Sequence, residues 1–117
     1  MRKVGIMSNY KQLGRVDLNL LVSFQILMEE KSVSAAAERA FVSQSAMSRT
    51  LQRLRELFDN PLFIRQSHGL LPTKRALMLY KELKPLLAGI DILLKPETFD
   101  PSTLNRQFVI ACPSLLS

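Results

Sequence analysis

The sequence contains one cysteine, Cys112, and one histidine, His68. A lone cysteine cannot form a disulfide within the chain, and one cysteine with one histidine cannot supply the ligands of a structural zinc site. Such sparing use of cysteine fits a reducing cytosol. We therefore expect no internal disulfide, no metal and a cytoplasmic location, with Cys112 as a buried small apolar residue.

Long apolar runs and catalytic motifs are lacking too. Residues 1–10 include two basic residues but no apolar stretch long enough for a signal peptide. The most apolar later segment, residues 86–94, is too short to span a bilayer and contains Asp91. There is no Gly-rich phosphate loop, no pair of carboxylates in a plausible cleft and no nucleophile with an assignable base. We expect neither a membrane protein nor an enzyme, and no cofactor.

Positive charge is abundant and concentrated. Sixteen Lys and Arg against ten Asp and Glu give a net charge of +6. Residues 39–75 hold seven of the basic residues and two of the acidic ones, so this block alone has a net charge of +5. Such a balance favours anionic partners, such as nucleic acid or an acidic membrane surface. The 117 residues suffice for one domain with a single core and an appendage.

Helical patterns dominate the first part of the chain. Residues 1–15 show no clear period and are interpreted as a loose arm. Asp17 is predicted to cap a helix over residues 18–31, where apolar residues recur at helical spacing. Ser34 is predicted to cap a short second helix over residues 35–40, whose alanines allow another helix to approach closely.

A third helix is predicted over residues 44–58, after a short turn at residues 41–43 in which Ser43 serves as the N-cap. Four apolar side chains lie within about 60° of one another at roughly 100° per residue. They predict one buried stripe: Met47, Leu51, Leu54 and Phe58. The opposite face holds Ser45, Arg49, Gln52 and Glu56, flanked by Ser48 and Arg53. The third helix is therefore amphipathic, with a polar and mostly basic outer face.

A hairpin and a long helix follow. Two short extended runs at residues 62–66 and 70–72 flank a Gly-containing turn and predict a β-hairpin, or wing. Thr73 is predicted to cap a helix that ends near residue 95 and that Pro85 bends. Its apolar residues have the spacing of a heptad seam, which indicates a partner helix. The seam consists of Ala76, Leu79, Leu83, Leu86, Ile90 and Leu93.

These elements predict a mainly α fold of the winged helix-turn-helix type, with three helices plus a β-hairpin wing and then a long dimerisation helix. The predicted organisation is an arm (1–15), a DNA-binding domain (16–72), a linker helix (73–95) and a final segment (96–117). That segment is interpreted as a hinge and one buried strand over residues 107–111. A single strand cannot make a sheet, so we expect the chain to be a fragment of a longer protein.

Five motifs give the chain a family resemblance. They are Val16-Asp-Leu-Asn-Leu-Leu21, Ser34-Ala-Ala-Ala37, Val42-Ser-Gln-Ser-Ala-Met-Ser-Arg49, Leu51-Gln-Arg-Leu-Arg55 and Pro61-Leu-Phe-Ile-Arg65. In this order and spacing they resemble the N-terminal domain of LysR-type bacterial transcriptional regulators, over about residues 16–95. The family often has Pro where Ser45 stands. Residues 71–76 resemble the variant seen in nodulation-regulator-like members.

The resemblance implies that residues 44–58 form a recognition helix that enters the major groove of double-stranded DNA. Side chains near the start of such a helix reach base edges, where Gln pairs with adenine and Arg with guanine. The candidates for base contact are Gln44, Ser45, Ser48, Arg49 and Gln52. The candidates for backbone or minor-groove contact are Ser43, Arg53, Arg65, Ser67 and His68.

The resemblance also implies partners. In the family the long helix pairs with the same helix of a second subunit, and dimers often assemble further into tetramers. A homodimer presents two recognition helices, so the expected site is an interrupted inverted repeat. The strand at residues 107–111 resembles the start of the family's effector-binding domain, where Ser114 is a candidate contact for a small-molecule effector.

Other interpretations of the same residues stay open. The outer face of the third helix has the composition of an ordinary solvated helix face, and the leucine seam can pack on its own domain. His68 can be a plain turn residue. The competing function is a helical protein-protein assembly module, whose basic face only keeps it in solution. Strong salt dependence of duplex binding would distinguish a DNA-binding regulator from such a module.

Overall fold

A computed structural model describes residues 10–96. The four helices are α1 (Leu18–Glu30), α2 (Val33–Arg39), α3 (Gln44–Phe58) and α4 (Lys74–Leu94). Between α3 and α4, strands β1 (Phe63–Gln66) and β2 (Gly69–Pro72) form an antiparallel hairpin, the wing. The predicted mainly helical fold with a wing is therefore confirmed. The predicted strand at residues 107–111, with Cys112 and Ser114, lies outside the described residues.

Short-range capping bonds start three of the helices where the sequence predicts. The Asp17 carboxylate accepts a hydrogen bond from the N–H of Asn19 at 2.9 Å, and the Ser43 hydroxyl accepts one from Ala46 at 3.1 Å. Thr73 Oγ1 accepts the N–H of Ala76 at 3.2 Å. Each bond satisfies a donor that has no partner within its helix, so the three predicted caps are confirmed.

The predicted start of α2 was wrong. The helix begins at Val33, and its cap is Ser32, whose hydroxyl accepts the N–H of Ala35 at 3.2 Å. Ser34 is already helical and exposed, with its hydroxyl 3.1 Å from that of Ser32. The earlier start brings Val33 into the core, and apolar burial favours it over a start at Ser34.

Part of the expected loose arm is folded. Leu13–Arg15 form a short 3-10 helix, closed by the N–H of Val16 on the carbonyl of Leu13 at 3.1 Å. With Gln12, this turn borders an apolar groove of about 470 Å³. Residues of α1, α3 and α4 complete the groove: Leu21, Leu57, Phe58, Leu79 and Leu83.

The core lies where α1, α2 and α3 meet under the wing. Phe24 of α1 is its centre, with its ring 6.0 Å from that of Phe63 and 6.3 Å from that of Phe58. From α3, the predicted stripe enters this core, with Met47, Leu51 and Leu54 buried and Phe58 packed against them. The prediction of this stripe is confirmed, and it fixes which face of α3 is exposed.

The wing is held to the helices at its base. Leu62 and Phe63 are buried, and the N–H of Thr73 donates to the carbonyl of Leu62 at 2.8 Å. The Asn60 amide oxygen accepts both the N–H of Leu62 at 2.8 Å and the hydroxyl of Thr73 at 3.1 Å. One side chain therefore joins the end of α3, the start of the wing and the start of α4.

At its far end the wing rests on α1. The N–H of Leu70 donates to the carbonyl of Lys31 at 2.9 Å. Lys31 is the left-handed residue that ends α1. Gly69, with a φ of +117°, approaches this carbonyl so closely that a Cβ atom would overlap its oxygen. Glycine is therefore required at this position by both conformation and space.

The leucine seam of α4 passes from one environment to another. Ala76 is fully buried in the domain's own core, and Leu79 and Leu83 are half-buried against it. Beyond Pro85, which α4 accommodates without a break, the seam is exposed. Leu86, Ile90 and Leu93 have 63%, 37% and 83% of their surface accessible. The first part of the seam thus packs on its own domain, and the second part has no partner among the described residues.

Candidate nucleic-acid interface

The outward face of α3 is polar and accessible. Gln44, Ser45, Arg49, Gln52 and Arg53 are exposed, and Ser48 is half-buried beside them. Their orientation follows from the stripe on the other side, because three consecutive turns of the helix are anchored in the core by Met47, Leu51 and Leu54. The candidates for base contact therefore share one face of one rigid helix.

Ser43 has a defined role at the start of this helix. Its hydroxyl accepts from the N–H of Ala46 and lies 3.2 Å from the hydroxyl of Ser45. The N–H groups at Gln44 and Ser45 are at the helix end, where no partner exists within the helix. Both residues are exposed, so these donors add positive potential next to the polar face.

A polar cleft of about 170 Å³ separates the start of α3 from the wing. It brings together two residues that the sequence analysis proposed separately, Gln44 of α3 and Arg65 of β1. Its other polar lining residues were not predicted from the sequence: Ser32, Ser34 and Gln66. The proposed contacts Ser67 and His68 do not line the cleft and lie exposed at the tip of the wing.

The basic residues of the central block divide into engaged and accessible groups. Arg39 pairs with Glu29 at 2.7 Å and with Glu30 at 3.1 Å, and these hydrogen bonds raise the pKa of its guanidinium, with Glu29 the larger cause. Arg55 donates from Nε to the carbonyl of Pro61 at 2.8 Å and from a terminal nitrogen to that of Phe63 at 3.0 Å. The net charge of the block is therefore larger than the positive charge that is accessible to a ligand.

Of the five basic residues of the block that remain, three arginines lie on α3 and the wing, and the other two, Lys74 and Arg75, are exposed at the start of α4. Arg49 and Arg53 on α3 and Arg65 on the wing are exposed, and no ion pair involves them among residues 10–96. α3 and the wing, on which they lie, both border the polar cleft. Uncompensated guanidinium groups on adjacent elements attract an extended anion rather than a single small one.

The turn between α2 and α3 holds a feature that the sequence analysis did not single out. Phe41 has a φ of +58° and 95% of its surface accessible. Its N–H donates to the main-chain carbonyl of Glu38 at 3.2 Å, and the N–H of Val42 donates to the carbonyl of Ala37 at 3.0 Å. These are the two bonds of a Schellman motif. The left-handed conformation costs about 1–2 kcal/mol for a residue with a Cβ atom. Glycine or asparagine is the usual choice there.

Across residues 10–96, no three His, Cys, Asp or Glu side chains lie close enough together to hold a metal ion. None of the helices described above is long and apolar enough to cross a membrane.

Comparison with known proteins places this arrangement in a family. The family model described as "Bacterial regulatory helix-turn-helix protein, lysR family" matches residues 18–77. The HTH-type transcriptional regulator YbdO of Escherichia coli (strain K12), itself called uncharacterized, is 40% identical over 111 residues. The match covers 95% of this chain and 36% of YbdO, so the chain spans about a third of the length of this relative.

Solved structures agree in fold. The probable transcriptional regulator PA0477 from Pseudomonas aeruginosa superposes with a TM-score of 0.68 at 38% identity, over 72% of this chain and 28% of that one. A crystal structure of a BenM_DBD/catB site 1 DNA complex superposes with a TM-score of 0.63 at 28% identity, over 68% of this chain and 89% of that one. On the family match and these likenesses, the chain belongs to the LysR family of bacterial helix-turn-helix regulators.

Proposed function

We propose that this chain is the DNA-binding part of a transcriptional regulator that acts in the cytoplasm and binds double-stranded DNA through α3. The observation that carries the proposal is the two-sided character of α3. One face is anchored in the core by Met47, Leu51 and Leu54, and the other presents Arg49 and Arg53 without an ion pair in the described part of the chain. The major groove of B-DNA, about 12 Å wide, admits one such helix.

Base reading is assigned to the exposed face of α3. Gln44 and Gln52 have the paired donor and acceptor that match adenine, and Arg49 has the fork that matches guanine. Each good bidentate pair gives about 1–3 kcal/mol of discrimination against a wrong base. Ser45 and Ser48 complete the set with short hydroxyl groups that accept or donate. These five residues are the proposed sequence-reading residues.

Backbone binding is assigned to residues around the polar cleft. Arg65 and Gln44 both line the cleft. We assign to this region the strand of phosphates that borders the major groove. Ser43, Arg53, Ser67 and His68 are the remaining backbone or minor-groove contacts in this proposal. Contacts of this kind place the protein on the duplex without selecting a sequence.

We assign dimerisation to the exposed part of the α4 seam, with its centre at Leu86, Ile90 and Leu93. These side chains are accessible and apolar, whereas Ala76 is buried in its own domain and has no surface to offer. The accessible parts of Leu79 and Leu83 extend the seam. Two subunits related by a two-fold axis would place two copies of α3 on an inverted repeat. Effector binding and tetramer assembly are proposed for a longer protein, not for residues 10–96.

The experiment that tests DNA binding is the salt dependence of duplex affinity, measured by fluorescence anisotropy with a labelled duplex. Each phosphate that is neutralised contributes about −0.9 to the slope of log K against log salt. Arg53 and Arg65, the two accessible arginines assigned to the DNA backbone, therefore predict a slope of about −1.8 per subunit, and about −3.6 for a dimer. A slope near zero would favour the assembly module instead.

A pair of variants sharpens this experiment. Arg53→Ala should reduce the steepness of the slope by about one unit per subunit. Arg39→Ala should reduce it less, since the Arg39 guanidinium is already paired with Glu29 and Glu30. Equal reductions for the two variants would mean that non-specific net charge, and not the face of α3, attracts the duplex.

A further inference from the structure

Phe41 is unusual in both its exposure and its backbone conformation. It is a large aromatic side chain with 95% of its surface in solvent, and its backbone has the left-handed conformation that glycine and asparagine adopt most readily. Between residues 23 and 56, the exposed large apolar side chains are Phe41 and its neighbour Val42. Burial of the side chain therefore does not offset the cost of the strained backbone. Backbone strain of this kind concentrates at functional sites.

The turn also holds this side chain in a fixed place. The hydrogen bonds from Phe41 to Glu38 and from Val42 to Ala37 close the Schellman motif, and Ser43 then caps α3. A ring on a backbone fixed on both sides loses little conformational entropy on binding, because the phenylalanine side chain has only two rotatable bonds. The turn presents a preorganised apolar tip.

The position of this tip favours a nucleic-acid partner over a protein. Phe41 precedes Gln44 by three residues, so their Cα atoms are at most about 11 Å apart. A helix that places Gln44 against base edges therefore brings Phe41 to the edge of the same groove. Protein interfaces have a well-packed apolar centre, whereas the neighbouring helix face is polar, with two arginines that form no ion pair within residues 10–96.

We propose that Phe41 is a further DNA contact, which packs its ring on apolar surface at the edge of the major groove. Duplex DNA offers two sources of such surface there, the C5-methyl group of thymine and the carbon atoms of deoxyribose. The inference rests on the proposed function, because it takes α3 as the helix that enters the groove. It adds an apolar contact to the polar and basic ones assigned above.

The test is Phe41→Asn, which removes the apolar ring and keeps a residue that tolerates the left-handed conformation. The full chain is measured against the duplex that the wild-type protein selects from a random pool. Loss of the apolar area that the ring would bury against DNA should weaken binding about tenfold. Thermal unfolding without DNA should occur at the same or a higher temperature, because backbone strain is relieved. Phe41→Leu, which keeps an apolar side chain, should recover part of the affinity.

A second arm identifies the apolar surface. The thymines of the selected duplex are replaced by deoxyuridine, which lacks the C5-methyl group. If wild type and Phe41→Asn then bind equally, Phe41 contacts a thymine methyl. If the tenfold difference persists, Phe41 contacts deoxyribose.

Two results would overturn the inference in different ways. Unchanged affinity of Phe41→Asn for the selected duplex, with wild-type binding intact, would show that Phe41 does not touch DNA and would leave the proposed function standing. Absence of any salt-dependent duplex binding by the wild-type chain would overturn the proposed function and this inference with it.

Discussion

Replacing Arg55 with alanine should weaken the attachment of the wing to α3 while the exposed face of that helix stays intact. Arg55 is one of the basic residues of α3, yet its guanidinium donates hydrogen bonds to two main-chain carbonyls, those of Pro61 and Phe63. Both acceptors lie at the start of the wing. The side chain therefore acts as a brace between α3 and the wing, which both border the polar cleft.

The size of the effect follows from these two bonds. A hydrogen bond that involves a charged group contributes about 1.5–3 kcal/mol when buried. The bond to Pro61 lies at the surface, where water replaces it, and the bond to Phe63 is partly buried. We therefore expect the free energy of unfolding to fall by about 2 kcal/mol. For a domain of this size that corresponds to a decrease in melting temperature of about 10 °C.

Circular dichroism during denaturant and thermal unfolding measures this change. The matched control is Arg53→Ala, which removes an exposed arginine two positions earlier on the same helix. Its stability should stay within about 0.5 kcal/mol of wild type. Its duplex binding should weaken, and the slope of log K against log salt should become less steep by about one unit per subunit. If Arg55→Ala proved as stable as Arg53→Ala, the reasoning about the brace would be refuted.

Three further predictions concern the wing, the interface and the seam. Gly69→Ala should lower the free energy of unfolding by about 2–4 kcal/mol, because the new Cβ would overlap the carbonyl of Lys31. Gly89→Ala, in open space on α4, should raise it by about 0.5–1 kcal/mol; equal effects in denaturant unfolding would contradict this contrast. Arg49→Ala should weaken binding most for the preferred duplex and Arg65→Ala should weaken all duplexes alike, in titrations with preferred and scrambled DNA. Uniform losses for Arg49→Ala would exclude base reading by that residue. Leu86→Glu should give monomers in analytical ultracentrifugation, and an unchanged dimer would place the interface elsewhere.

Features that depend on neighbouring residues in the chain could be predicted from the sequence. The caps at Asp17, Ser43 and Thr73 act over two or three residues, and the buried stripe of α3 follows from helical geometry alone. At Ser32 and Ser34 the same local chemistry gave two possible caps. Burial of Val33 in the core decided between them, and that is a tertiary effect.

Features that depend on distant contacts could not be predicted in this way. The heptad spacing of α4 is uniform, but only packing against the core shows that Ala76 is buried and Leu86 is exposed. Counting charges could not separate Arg55 from Arg53, because the carbonyls that engage Arg55 belong to the wing. The cleft shared by Gln44 and Arg65 likewise joins residues far apart in the sequence.

The central claim, that the exposed face of α3 reads DNA sequence in a dimer, is tested most directly by selection. The purified chain is incubated with random-sequence duplexes at near-physiological salt, and the retained duplexes are sequenced. We predict enrichment of an interrupted inverted repeat, with half-sites spaced by whole turns of the duplex, roughly 34 Å each. Retention without enrichment, or no retention at all, would contradict it.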